Sequence, residues 1–276
     1  MLANSHTARV NRNVSVQLDV SMVSPVRLVF QIAVADPGAY AAEEEIEITL
    51  DGVAKSWREL IAPHGGRVWL IDSAPGRVQL NYRAQLSGTS SAPAVDVSDE
   101  LLYLRPSRYC ESDRLAGFAV RHFHDIHEPH EILSAVSSWV GTQLEYVSGS
   151  SEPTDGAIDT LLAARGVCRD YAHLAVALLR AMDVPARLVA VYAPGLDPMD
   201  FHAVAEALID GAWYVVDGTL LAPRASLLRI ATGRDAADTP FLTSYGGSIN
   251  LDFMQVIATV DGDLPEEDVR TLVQLR

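Results

Sequence analysis

The stretch Gly166-Val-Cys-Arg-Asp-Tyr-Ala-His-Leu-Ala-Val-Ala-Leu-Leu-Arg-Ala-Met182 decides the fold class. Tyr171, Leu174, Ala175, Leu178, Leu179 and Met182 fall at i, i+3, i+4, i+7, i+8 and i+11, the spacing of one helical face. Ala172, Val176 and Ala177 make the opposite face apolar too, so the helix is expected to be buried on most sides. Asp183-Val184-Pro185 ends it, because proline cannot continue a helix. After it the pattern changes to strands at residues 186–193, Phe201–Ile209, 212–217 and Ile249–Val260. Before it, residues 114–123 and 131–139 carry helical periodicity. Helices followed by strands, without βαβ alternation, predict an α+β domain.

The first 95 or so residues read differently. Val14-Ser-Val-Gln-Leu-Asp-Val20 alternates apolar and polar residues, the mark of a half-buried strand. Further strands are expected at 26–35, 43–50, 67–71 and 77–86, with Ala74-Pro75-Gly76 as a hairpin turn between the last two. Short strands at this spacing predict a β-sandwich. The small polar run at 88–93 reads as a linker. The expected division is therefore a β-sandwich over residues 1–96 and a second domain over 97–276.

Composition limits the function classes. The chain has 276 residues, of which 49% are hydrophobic and 21% charged, enough for a core without staples. Asp and Glu outnumber Lys and Arg by 36 to 21, a formal charge of −15, which disfavours nucleic-acid binding. Two cysteines, Cys110 and Cys168, cannot build a disulfide framework. The longest apolar run, at 174–179, is far short of the roughly 20 residues of a membrane span. Met1–Asn13 has no apolar stretch and reads as no leader. A cytoplasmic protein without a membrane partner is the expectation. G-x-S-x-G, G-x-G-x-x-G, P-loop, H-E-x-x-H and paired C-x-x-C motifs are all absent from the sequence.

Cys168 falls in the first turn of the central helix. Free backbone N–H groups and the positive end of the helix dipole favour a thiolate there and would stabilise a substrate oxyanion. The same position also suits a small buried hydrophobe. Asp210-Gly211 is a strong signal for a two-residue hairpin turn. If Ile209 pairs with Ala212, Val204 faces Asp217, and His202 and Asp217 become diagonal neighbours on one face. A three-residue turn would put them on opposite faces. Alone, His202 reads as a core histidine and Asp217 as a strand-end carboxylate. Together, an aspartate that orients an imidazole leaves its other nitrogen for a thiol.

At these residues the chain resembles a known family. Gly166-Val167-Cys168-Arg169-Asp170-Tyr171-Ala172-His173, Pro185-Ala186-Arg187, His202-Ala203 with Glu206, Trp213, and Asp217-Gly218-Thr219 resemble the core of transglutaminase-like proteins. These are bacterial relatives of transglutaminases, often described as candidate cysteine proteases. Asp159-Thr160-Leu161 and Pro106-Ser107-Arg108-Tyr109-Cys110 fit the same likeness, which covers about residues 100–225. It implies a papain-like core with the cysteine helix packed on an antiparallel sheet. It also implies Cys168 as nucleophile, His202 as general base and Asp217 as its orienting partner. Val204 departs from the tryptophan that relatives often carry after His-Ala, and Gly218 from their proline or alanine.

The activity so implied is thiol-dependent acyl transfer on an amide or peptide bond of a protein or peptide substrate. Hydrolysis is the leading expectation. Transamidation and a non-catalytic interaction scaffold are the alternatives. Tyr171 and Glu206 are carried as substrate-binding candidates, although Tyr171 and Trp213 also suit a core, and Glu206 a solvated strand end. His122, His124, His127 and His130 form a dense run, but their spacing fits no standard metal site, and they read as a polar connection between helices. The acidic stretch 261–268 reads as a solvated loop, lacking the ligands of a calcium site. Neither a metal nor a cofactor is expected.

Overall fold

The computed structural model describes residues 11–276. Most of the expected leader-free stretch Met1–Asn13 thus lies outside the described residues. The N-terminal region forms β1 (Asn11–Met22), β2 (Val26–Phe30), β3 (Ala41–Leu50), β4 (Val53–Ala54), β5 (Arg58–Ile61), β6 (Arg67–Ser73) and β7 (Gly76–Ser87). The helical region follows, with α1 (Val97–Tyr103), α2 (Ser112–Phe123), α3 (Pro129–Gln143), β8 (Glu145–Tyr146), α4 (Ala157–Ala163), β9 (Arg165–Gly166) and α5 (Cys168–Ala181). The chain ends with β10 (Ala186–Tyr192), β11 (Phe201–Ile209), β12 (Ala212–Val216), β13 (Leu228–Gly233), β14 (Leu242–Tyr245) and β15 (Ile249–Val260).

Alternation in β1 buries Val14, Val16, Leu18 and Val20, and β7 answers with Val78, Leu80 and Tyr82. A second sheet contributes Leu28, Phe30, Trp69 and Ile71 to the same buried cluster. The two sheets therefore pack face to face on their period-two apolar sides. Two sequence expectations change at this point. Ala74-Pro75-Gly76 joins no hairpin, because β6 pairs with β2 and β5 whereas β7 pairs with β1 and β3. That turn carries the chain from one sheet to the other, which lets both strands face the shared core. The second change concerns residues assigned to the C-terminal unit. β15 pairs with β1 along its length and β14 pairs with β2, so residues 242–260 complete the N-terminal sheets. Val256 and Ala258 cover the inner face beside β1, burial that no other strand supplies at that edge.

The second layer is the antiparallel sheet β12-β11-β10-β13, on which α5 packs. Residues 171–180 of α5 are all buried, as its two-sided apolar pattern predicts. The buried guanidinium of Arg180 is satisfied by the carbonyls of Ala186, Arg105 and Arg234 and by Ser107 Oγ. It ties the helix end to the domain junction. Helices α2, α3 and α4 cover the other sides of α5. The two halves meet across a common core, where Tyr192, Leu228 and Ile230 join the cluster of the N-terminal sheets. Tyr192 also donates a hydrogen bond to Ile32 O at 2.5 Å. No helix among the described residues is long and apolar enough to cross a membrane.

Helix α3 approaches the turn after β12 so closely that a Cβ on Gly141 would lie 2.6 Å from Gly218 O. Gly218 is thus matched to a glycine on α3. Gly141→Ala is expected to destabilise by about 1–3 kcal/mol through overpacking, less about 1 kcal/mol returned by alanine's helix propensity. Urea denaturation measures it. Gly218→Ala, whose Cβ would meet Val140 Cγ1 at 3.1 Å and Gly141 N at 3.3 Å, both looser than the 2.6 Å contact at Gly141, should cost less. The reverse order would contradict this account of the contact.

Candidate active site

Helix α5 begins at Cys168, and its start is locally encoded. Asp170 at the third helical position accepts the backbone N–H of Val167 at 2.8 Å, half of a capping box. Ser151 donates to the other oxygen of Asp170 at 2.8 Å, drawing the 150s loop onto the helix start. Arg169 extends along the same loop to Ser151 Oγ and Glu152 O. Cys168 is partly exposed, with the unpaired N–H groups of the first turn around it.

The β11–β12 hairpin turns at Asp210-Gly211, both with positive φ (51° and 74°), the geometry of a two-residue turn. Ile209 pairs with Ala212 and Ala205 with Val216, the register that this turn dictates. His202 and Asp217 come together: Nε2 of the imidazole lies 3.2 Å from Asp217 Oδ2. Both side chains are almost wholly buried. The other carboxylate oxygen accepts from Thr219 N at 2.8 Å and Thr219 Oγ1 at 2.7 Å. Asp217 is thereby aimed, with Nε2 of His202 donating to it. Nδ1 of His202 is buried and has no hydrogen-bond partner.

Electrostatics follow from these neighbours. Burial opposes charge on His202, but the hydrogen bond to Asp217, the Cys168 thiol beside the ring, and both charges outweigh it. The imidazole is pushed up to about 10. Burial works against charge on Asp217 as well, and the bonds from His202 and Thr219 overcome it, holding this carboxyl below its ordinary range. Cys110, by contrast, is fully buried, and burial pushes its thiol up. Tyr146, on the short strand β8, lies close enough to Cys168 to feel its charge, and burial and that charge push the phenol up to about 12. Tyr146 carried no signal in the sequence. A two-residue strand is too short for periodicity to show, and its position comes from β8 pairing with β9 just ahead of α5. Beside Cys168 and His202 opens a pocket of about 490 Å³, which Phe241 and Leu242 help to line.

The two substrate-binding candidates lie elsewhere. Tyr171 is buried in the core beside α3 and donates to Leu144 O at 2.8 Å. Its place on the periodic face of α5 makes it core, not cleft. Glu206 is neither in the cleft nor solvated. It is fully buried between Arg187, paired across from it on β10, and Arg229 of β13. Burial raises a carboxyl, but the two guanidinium groups bring Glu206 down to about 2. Arg187 lies 3.7 Å over the Trp213 ring, so Trp213 serves this cluster. Of the histidine run, His122 stacks on Phe118 and His130 meets Asp210 at 3.1 Å. Among the described residues, no group of three His, Cys, Asp or Glu side chains is placed to hold a metal.

Glu206→Gln leaves two buried guanidinium groups without their counter-charge. It is expected to cost about 3–5 kcal/mol, the usual penalty for breaking a buried pair, measured by chemical denaturation. A loss within experimental error would refute a structural role for the Glu206 carboxylate.

Residues 117–218, which hold Cys168, His202 and Asp217, match the family model described as the transglutaminase-like superfamily. A solved structure of a candidate cysteine protease from Cytophaga hutchinsonii is similar along almost the whole chain. It has 29% identity and a TM-score of 0.84, covering 97% of each chain. An uncharacterized protein of Mycobacterium leprae is 28% identical over 166 residues, 57% of this chain and 59% of that one. An uncharacterized protein of Mycobacterium tuberculosis is 33% identical over 154 residues, 48% of each. The match thus spans about half to three-fifths of these curated relatives. Residues 117–218 are thus similar to the transglutaminase-like superfamily, and the fold has a cysteine-bearing helix packed on an antiparallel sheet, as in the similar Cytophaga hutchinsonii structure.

Proposed function

We propose that this protein is a cysteine enzyme that hydrolyses amide or peptide bonds by thiol-dependent acyl transfer. The observation that carries the reading is the free Nδ1 of a buried, aspartate-held His202 beside a partly exposed Cys168. The Cytophaga hutchinsonii relative, itself described as a candidate cysteine protease, supports the same chemistry.

The cycle uses the three side chains in sequence. Nδ1 of His202 takes the Cys168 proton, and Asp217 keeps the resulting imidazolium oriented. The sulfur attacks the carbonyl carbon. The oxyanion meets the first-turn N–H groups of α5, with the Tyr146 hydroxyl as a further donor. The C–N bond breaks, and the amine leaves with the proton from His202. A water then attacks the thioester, giving its proton to the same nitrogen, and the carboxylic acid departs as the thiol is restored. Hydrolysis is favoured over transamidation because Cys168 is open to water, whereas an amine acceptor would need a binding site of its own.

Cys168→Ala is expected to abolish hydrolysis of a peptide amide. In the native protein, iodoacetamide should alkylate Cys168 far faster than the buried Cys110 near neutral pH, as followed by peptide mass mapping. That advantage should disappear in His202→Ala. Equal slow labelling of both thiols would sink the proposal. Incorporation of a labelled primary amine into a glutamine-containing protein, without hydrolysis, would redirect it to transamidation.

The raised imidazole also sets a pH window. A group pushed from 6.5 to about 10 by folding contributes stability that is complete below 6.5 and is lost as pH rises toward 10. Asp217→Asn removes the main hydrogen-bond partner. The gap in Tm between native protein and this variant should be widest near pH 6 and narrow toward pH 10. A gap that grows with pH would contradict the assigned charge state of His202.

A further inference from the structure

We infer that the pocket beside Cys168 selects an acyl group bearing a large apolar side chain, aromatic or branched aliphatic. This rests on the proposed acyl-transfer reading and gives it a substrate class. Pairing of Ala190 with Ala203, and of Tyr192 with Phe201, sets Leu188, Ala190, Ala203 and Phe201 on one face of the β10–β11 pair. These four form the pocket floor. Phe241 and Leu242, at the start of β14, close the far side, and the Phe241 ring stacks on Phe201 with centroids 5.0 Å apart. The two alanines leave the space that larger residues would fill. The volume of about 490 Å³ lies in the range of about 300–1,000 Å³ usual for small-ligand pockets.

Charge at the pocket argues the same way. No carboxylate lines it, and both of its cationic side chains are already held: Arg169 is engaged with Ser151 and Glu152 O and lies 3.6 Å from Asp170, and the His202 ring is bound to Asp217 at 3.2 Å. Tyr109 spends its hydroxyl on Pro153 O. A lysine side chain entering the pocket would lose its hydration without gaining a counter-charge, and a glutamate or aspartate would have to compete with Asp170 and Asp217 for cations they already hold. An apolar one gains from burial.

The side of the scissile bond follows from the chemistry. The acyl part stays on the sulfur through both half-reactions, whereas the amine leaves after the first. A pocket contiguous with Cys168 and His202 holds the part that must remain. It is assembled from the core sheet and from the segment that leads into the N-terminal sheets, so the two-sheet region takes part in selecting substrate.

The test is a series of acetyl-alanyl-Xaa acyloxymethyl ketones, with Xaa as Phe, Leu, Ala, Gln, Glu or Lys, on the full-length protein. The second-order rate of Cys168 modification is read by mass spectrometry, with iodoacetamide as the small reference reagent. Phe and Leu are expected to exceed Ala by about ten- to a hundredfold, the scale of burying a large apolar side chain. Glu and Lys should fall below Ala. Ala190→Leu should bring the Phe-to-Ala ratio down toward one. Fast iodoacetamide labelling of Cys168 with a flat series, or with Gln or a charged residue preferred, overturns this inference and leaves the acyl-transfer reading standing. Iodoacetamide labelling of Cys168 no faster than that of Cys110 overturns that reading, and this one with it. The native-protein series decides the matter even if the variant fails to fold.

Discussion

The hydrogen bond between His202 and Asp217 is the constraint on which the site depends. It spans a hairpin, so it exists only in one register. A shift of one residue would turn one of the two side chains to the opposite face. The two-residue turn at Asp210-Gly211 sets that register, because both residues adopt the left-handed backbone that it requires. Thr219 completes the arrangement by occupying the second oxygen of Asp217. The carboxylate has little freedom left, and the imidazole it holds presents one unpaired nitrogen.

Around this bond the protein places two devices that keep the sheet rigid. Behind it, Glu206 bridges Arg187 and Arg229, joining β10, β11 and β13 by charge at a buried position. A buried carboxylate is costly alone and tolerable only when paired. Below it, α5 is buried along its length and anchored at its far end by Arg180. The cysteine is therefore held at the start of a rigid element, and the histidine on another. In the proposed chemistry, little reorganisation is needed to bring sulfur and ring together.

The N-terminal sheets are integral to this frame. They are completed by β14 and β15, which follow the cysteine-bearing core in the chain, and they share buried residues with β10 and β13. His64 makes the link polar as well as apolar: it meets the Tyr103 hydroxyl at 2.7 Å and faces Arg187 at 3.4 Å. The segment around Phe241 belongs to both regions: it lines the pocket and leads into β14 of the N-terminal sheets.

What was legible in the sequence was local. The helix over 168–181 announced itself by two apolar faces, and the hairpin by a turn pair whose backbone demands are specific. From these two facts alone, His202 and Asp217 become neighbours, and Cys168 becomes a residue with free N–H groups around it. Glu206 misled because a single carboxylate carries no sign of its partners. Only the closing of β13 onto β10 brings Arg229 to it. Tyr146, the handover of β14 and β15 to the N-terminal sheets, and the apolar wall of Phe241 and Leu242 were likewise decided by tertiary structure. The β1–β15 and β2–β14 pairings join residues more than two hundred positions apart; they follow from the summed burial of whole faces, and no short window of sequence contains that sum.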